Sequence, residues 1–433
     1  MKRTGLTGML LLISGLLIAQ EILTLGKAVE IGLANNYGIN IAKNNYQISR
    51  NNASPGNAGM MPVISANAGY VKGLSDAKVN VVTGSELNNT HANSDLLTAG
   101  VNLNWTLFDG LNMFITYDKL KKLEDMGEVG FKIEAENTLA KIIAAYYDIV
   151  RQKKEVAIIQ EQVSISLFRL ELARFRYETG SGSEMEYLKA KVELNADSAA
   201  LQNQQTLYLN SKTTLNDLLS RDVNTGFEVR DTILISYILT YDSLRSSMRL
   251  ANRNLILANK NKEVSLLDMK SAHAQQWPTL DFMTAYSYYR SETEANFIQY
   301  NRNFGPTVGL TAAITLFDGR NLNRQYKNAK VSLEISEMEV RQLESRLEAH
   351  LARIYNDYRN ELRMIDFEQE NLQLAAKNMD IAKESYEVGS ISSLQLREIQ
   401  KDLLNASTRL VTAEYTAKVS ETALLLISGK LIH

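Results

Sequence analysis

The sequence predicts a mainly α fold with a smaller β part: long antiparallel coiled-coil helices joined to four strands, arranged as a two-fold internal repeat. Three observations carry this. Leu107-Phe108-Asp109-Gly110 returns as Leu316-Phe317-Asp318-Gly319, each time closing an alternating run and opening a long stretch without proline. Phe108 and Phe317 lie 209 positions apart (317 − 108), and Gly180 and Gly389 keep the same 209 (389 − 180). Those glycines stand in Tyr177-Glu178-Thr179-Gly180-Ser181 and Tyr386-Glu387-Val388-Gly389-Ser390. Upstream, Leu33-Ala34-Asn35 matches Leu250-Ala251-Asn252 at an offset of 217, and Pro62 matches Pro278 at 216. The first copy thus carries 216 − 209 = 7 extra residues between its proline and its joint, expected in a loop. Finally, Pro55, Pro62, Pro278 and Pro306 all flank strand regions. The proline-free remainder suits long helices, since an interior proline costs ~3 kcal/mol or more.

In chain order, Lys2 and Arg3 precede an apolar run from Met9 to Ala19, the layout of a secretory signal peptide over 1–19. That run is shorter than the ~20 apolar residues needed to span a bilayer. The first repeat occupies 20–220. It opens with a helix over 21–52, interrupted by Asn-Asn pairs, and a small-residue linker over 53–61. Strands are expected at 62–72 and 98–108. Proline is tolerated at a strand's first residue, and the polar segment 72–95 between them is expected as a loop. Glycine accepts φ > 0 and aspartate caps turns, so the Asp-Gly joint hands the strand over to a helix.

That helix is expected over 112–177. Its apolar stripe runs Leu139, Ile142, Tyr146, Ile149, Val156, Ile159, Val163, Leu167, Leu170, Ala173, Tyr177, with a period near that of coiled coils. At 1.5 Å per residue it would be about 100 Å long. A break at Gly180-Ser181-Gly182-Ser183 precedes a return helix over 184–220. A connector over 221–240, with a short strand expected within 227–238, leads to the second repeat, 241–433. This repeats the plan: a helix, strands at 278–290 and 306–317 separated by a polar loop, a long helix over 321–386, and a return helix over 394–427.

Strand alternation places Val101, Leu103, Trp105, Leu107 and Val308, Leu310, Ala312, Ile314, Leu316 on one side. Small or polar residues such as Gly100, Asn102, Asn104, Thr307, Gly309 and Thr311 take the other. That is the apolar-out, polar-in code of an outer-membrane barrel, with Trp105 and Trp277 placed as an aromatic belt would be. Four strands cannot close a barrel. Eight would enclose only side chains, so three chains and twelve strands form the smallest assembly with a pore. With 47 basic and 49 acidic residues, nothing in the charge favours nucleic acid. The absence of cysteine excludes disulfides and thiolate metal sites.

With its leader, repeat, strand-LFDG-helix joints and Tyr-x-x-Gly breaks, the chain resembles the TolC family of outer-membrane efflux proteins. The resemblance covers essentially the whole mature chain. It implies a homotrimer embedded in outer-membrane lipid, continuing into a periplasmic helical barrel. It also implies docking with a periplasmic adaptor and an inner-membrane transporter, as the exit duct of an efflux or type I secretion system. In that family the ends of the coiled coils close the channel. The gate tyrosine falls on Tyr386 and its acidic partner on Glu186. The constriction acids fall on Gln395 and Glu398, so one of the two is neutral here. The gate arginine falls on Ile391, a departure that puts the family's polar network in doubt. Gly180, Ser181, Gly389 and Ser390 fall where adaptors dock.

The competing reading is a soluble periplasmic coiled-coil scaffold or adaptor whose strands form a small sheet. Glu186 and Glu398 would then be ordinary solvated helix residues, and Tyr386 the end of a core stripe. No enzyme is expected: His91, His273, His350 and His433 are scattered without metal-ligand spacing, and no phosphate loop or nucleophile elbow occurs.

Overall fold

The computed structural model describes residues 22–431 apart from 81, 83, 85, 231, 237 and 238. The leader expected over 1–19 lies outside the described residues. Eight helices and four strands follow one another as α1 Leu25–Asn35, α2 Tyr37–Asn52, β1 Val63–Asn80, β2 Glu86–Asp109, α3 Asn112–Glu178, α4 Glu184–Leu218, α5 Tyr241–Ala251, α6 Arg253–Ala274, β3 Thr279–Thr293, β4 Tyr300–Ala313, α7 Asn321–Glu387 and α8 Ser393–Ile427. The two long helices have 67 residues each and the two return helices 35 each, so the duplication holds to the residue over this half.

The opening helix of each repeat is broken once. Asn36 accepts from the Ile39 amide at 3.1 Å, and Asn252 from the Leu255 amide at 3.0 Å, so each asparagine N-caps the helix after the break. These equivalent caps lie 252 − 36 = 216 apart, the spacing of the prolines rather than the 217 of the Leu-Ala-Asn match.

The chain divides into two compact units. One comprises 40–134 and 245–350 and contains the sheet. Its strands lie in the order β1-β2-β3-β4, all antiparallel, leaving β1 and β4 as edges. The strands are longer than expected and the loops shorter. Segment 72–95 is mostly strand, and so is most of 291–304, because polar residues alternate there as readily as apolar ones in a sheet with no packed face. At its other end β4 stops at Ala313, short of the expected 317.

The two hairpins share one register. Val63 faces Asn104 as Thr279 faces Ala313, and Ser75 faces Ala92 as Ser291 faces Asn301. In both cases the partners are related by 216 on the first strand and 209 on the second. The seven extra residues therefore lie beyond Ser75 and Ala92, where a bulge precedes further pairing from Ala77–Asn89 to Asn80–Glu86. They extend strands rather than a loop. A second bulge between Thr106 and Phe108 displaces Leu107 and sets Phe108 opposite Leu280. Rows such as Ile64-Leu103-Thr284-Val308 carry the apolar face, and rows such as Ser65-Asn102-Ala285-Thr307 the polar one. Ile64, Val101, Tyr286, Val308 and Leu310 are all at least half exposed.

At both joints the same two residues turn left-handed: Gly110 (φ 71°) with Leu111 (φ 70°), and Gly319 (φ 71°) with Arg320 (φ 68°). Gly110 is closely covered, and a Cβ there would lie 2.4 Å from the Ala274 carbonyl oxygen. Beyond the joint, Lys119–Asp268 and Lys260–Asp125 pair α3 with α6, at 2.5 and 2.7 Å.

The other unit comprises the described residues within 1–39, 135–244 and 351–433. Leu23, Ala28, Ile142, Tyr146, Ile149, Leu215, Leu219, Phe227 and Val229 form one of its buried clusters. The expected strand in the connector is replaced by a single bridge between Ile22 and Glu228 among the described residues. Burial opposes ionisation of Glu228, but Lys212, Tyr208 and Lys153 outweigh it and hold its carboxyl below the usual value.

Candidate functional site at the helix turns

The two turns that reverse the long helices are built alike. Gly180 (φ 76°) and Gly389 (φ 79°) take the left-handed conformation that closes an α-helix. The Ser181 amide donates to Arg176 O (2.8 Å) and the Gly180 amide to Tyr177 O (3.0 Å). In the second copy Ser390 donates to Ser385 O (2.9 Å) and Gly389 to Tyr386 O (3.1 Å). These paired bonds satisfy the last carbonyls of α3 and α7, and Gly180, Ser181, Gly389 and Ser390 all stand exposed. Each return helix then starts on a serine cap, Ser183 accepting from the Glu186 amide and Ser392 from the Gln395 amide.

From this equivalence the copies diverge. Gln395 completes a capping box, its Oε1 accepting from the Ser392 amide at 2.9 Å. Glu186 occupies the same position in Ser183-x-x-Glu186, but its carboxylate accepts from the Tyr386 hydroxyl at 3.3 Å instead. The structure therefore joins the tyrosine and the acid that the family resemblance pairs, and gives Gln395 a capping role. Glu398 lies one turn beyond Gln395, exposed and without a partner among the described residues.

Tyr386 itself is fully buried among Ile165, Met379, Ala382 and Leu396, with Ile391 packed against the cluster. The residue standing where the family carries an arginine thus belongs to an apolar contact. A guanidinium arrives from elsewhere: Arg176, on α3, donates to Tyr386 O at 2.6 Å and lies 4.8 Å from the centre of its ring. Burial raises the Tyr386 phenol and the Glu186 carboxylate adds to it, outweighing the opposing Ser393 and arginines.

One turn deeper lies a polar cluster the sequence reading missed. Arg397 grips Asp197 with two bonds of 2.7 and 2.8 Å, and Ser166 donates to the same carboxylate. Arg169, 1% exposed, donates to Ser393 Oγ (2.9 Å) and Gln400 Oε1 (3.3 Å) and pairs with Glu193 at 2.8 Å. Gln400 donates to Gln162 O and Ser166 Oγ. Burial opposes the Asp197 charge, but Arg397 and Ser166 outweigh it and hold its carboxyl low. The apolar stripe expected on α3 holds only in part here. Ala173 is buried and Val163 and Leu170 are half-buried, but Leu167 and Tyr177 are exposed, while Gln162, Ile165, Ser166 and Arg169, all outside the stripe, are buried. Only the 3–4 spacing of Gln162, Ser166, Arg169 and Ala173 hints at this, and polar side chains do not register as a core.

Residues 29–221 and 244–430 match the family described as outer membrane efflux protein. Outer membrane efflux protein BepC of Brucella suis biovar 1 is 21% identical over 419 residues, covering 94% of this chain and 86% of that protein. Outer membrane protein TolC of Vibrio cholerae is 20% identical over 352 residues, covering 78% of each. Among solved structures, VceC of Vibrio cholerae superposes with a TM-score of 0.77 at 17% identity, over 94% of this chain and 96% of that one. The CmeC channel of Campylobacter jejuni gives 0.80 at 14% identity, over 94% and 86%. With most of each repeat covered by a matched segment, the chain belongs to the outer membrane efflux protein family, whose members are outer-membrane channels and not enzymes.

Proposed function

We propose that three copies of this chain form one passive duct through the outer membrane and across the periplasm. It serves as the exit component of a tripartite efflux or type I secretion system. A periplasmic adaptor docks at the exposed turns around Gly180, Ser181, Gly389 and Ser390, and an inner-membrane transporter selects the cargo. The observation that carries this is the sheet. Among the described residues it is four strands wide, open at both edges, and bears an exposed apolar face with no layer packed on it. Such a sheet is stable where lipid covers the apolar face and other strands satisfy the edges. No described helix is long and apolar enough to cross a membrane. A soluble scaffold would have to cover that face, and nothing in the sheet-bearing unit does.

The turn cluster is the proposed closure of the duct. Glu186 and Tyr386 link α4 to α7, Arg176 ties α3 to the end of α7, and Glu398 is placed as an acidic ring at the entrance. Neither Gln395, held in its capping box, nor Ile391, in the apolar cluster, takes part in a charged gate. Purified protein in detergent is expected to be a trimer by native mass spectrometry, and to form ion-conducting pores in planar bilayers. Tyr386→Phe with Arg176→Gln is expected to raise the resting conductance. A monomer without pore activity would overturn the reading, whereas conducting trimers indifferent to the double substitution would remove only the gate assignment.

A further inference from the structure

The internal repeat specifies how one copy meets the next. Within the chain, the first joint is docked. Residues 105–109 of β2 pair with β3 alone, since β1 begins opposite Asn104. Gly110 then packs on the end of α6 at Ala274 and Trp277. The second joint has the same backbone but no such partner. Ile314, Leu316 and Phe317 are 55%, 89% and 82% exposed, and a Cβ on Gly319 would meet only its own Asn321. The helices beyond the joints repeat this contrast. Val129 of α3 and Val264 of α6 are buried, at 7% each. Their counterparts at offsets of 209 and 216, Met338 of α7 and Ile48 of α2, are 66% and 57% exposed. The unpaired strand end and the apolar contacts that the first repeat satisfies against the second thus recur, exposed, on the outer flanks of the chain.

We infer that β4 of one copy pairs with β1 of the next in the register that β2 keeps with β3. This rests on the trimeric reading above and adds the residue pairs. Applying 209 to β2 and 216 to β3, the Leu103–Thr284 pair becomes Ala312 with Ala68 of the next copy, and Asn104–Met283 becomes Ala313 with Asn67. Trp105–Phe282 becomes Ile314 with Ala66. Past the bulge, Phe108–Leu280 becomes Phe317 with Ile64. The register keeps Leu310, Ala312 and Ile314 on the same face as Tyr70, Ala68 and Ala66, as a barrel wall requires. It extends β4 through 314–318, the stretch left unpaired in the single chain. The second joint then seats on Ala58 and Met61 of the neighbour, the counterparts of Ala274 and Trp277. The ion pairs that lock the first joint have no counterpart. Lys119–Asp268 maps to Asn328 and Asn52, and Lys260–Asp125 to Asn44 and Glu334, so the contact between copies is held by strand pairing and apolar packing.

The cysteine-free chain makes the test clean. Two double variants, Ala312→Cys with Ala68→Cys and Ala313→Cys with Asn67→Cys, are oxidised in outer-membrane vesicles and run without reductant. Adjacent pairs sample both hydrogen-bonded and non-hydrogen-bonded positions of a ladder. At least one should give reductant-sensitive dimers and trimers. The shifted control, Ala312→Cys with Ile64→Cys, places the sulfurs four residues apart, about 13 Å. It should give on the order of ten-fold less product, because a disulfide tolerates Cβ separations of only about 3.5–4.5 Å. Trimers by native mass spectrometry that cross-link in the control but in neither matched pair, or in none of the three, overturn the register and leave the trimer standing. Monomers for the matched variants and the wild type alike overturn both.

Discussion

At the scale of single residues, equivalent positions do different work in the two copies. Glu186 and Gln395 both follow a capping serine by three, yet one reaches a tyrosine on another helix and the other closes its own cap. The cause is the neighbour: Tyr386 is buried where its hydroxyl meets α4, while its counterpart Tyr177 is exposed and stacked on Tyr187, with ring centres 5.9 Å apart. Glu398 is left as the free carboxylate near Gln395, so Glu398→Gln is expected to weaken block by multivalent cations in bilayer recordings. Unchanged block would remove it from the entrance. Glycines separate equally well by role. Gly389→Ala must hold a left-handed φ and is expected to cost about 1–2 kcal/mol. Gly130→Ala, inside α3 with open space around its Cα, should stabilise by roughly 0.5–1 kcal/mol. Urea unfolding followed by circular dichroism measures both signs.

At the scale of elements, the Asp197–Arg397 pair fastens α4 to α8, with Ser166 of α3 in the same network. The side chains are 10% and 13% exposed, so removing one partner strands a charge. Asp197→Leu alone is expected to cost ~3–5 kcal/mol, and Asp197→Leu with Arg397→Met much less, since replacing a buried pair by apolar groups is often neutral. Protease cleavage of the α3–α4 and α7–α8 turns reads this out. The pair also carries a pH dependence. The folded Asp197 carboxyl titrates below its unfolded value, so its contribution is fully present above about pH 4 and is lost as the pH falls through the depressed folded value. Acid should therefore loosen these turns in the wild type more than in the double variant. Equal pH profiles would show that other carboxylates dominate.

At the scale of the whole molecule, the two faces of the sheet make opposite demands. Val101→Arg, on the apolar face, is expected to destabilise the membrane-inserted form by up to ~2–4 kcal/mol, whereas Asn102→Arg, on the polar face, should be far milder. The yield of heat-modifiable trimer in outer-membrane fractions distinguishes them, and equal losses would contradict the assignment of faces. The repeat, the proline distribution and the Asp-Gly joints make the helix lengths and the hairpin order legible from the chain alone. The glycine turns are equally legible, because φ > 0, helix continuity and face alternation are local demands that particular residue types meet. The Tyr386–Glu186 contact is legible only through family resemblance. The strand extents, the Leu107 bulge, the approach of Arg176 to Tyr386 and the buried Arg169, Asp197 and Arg397 are not. Each depends on which side chain from a distant segment arrives opposite. Polar residues in a half-lipid sheet or a helical core follow no apolar period, so only the packed structure decides where they lie.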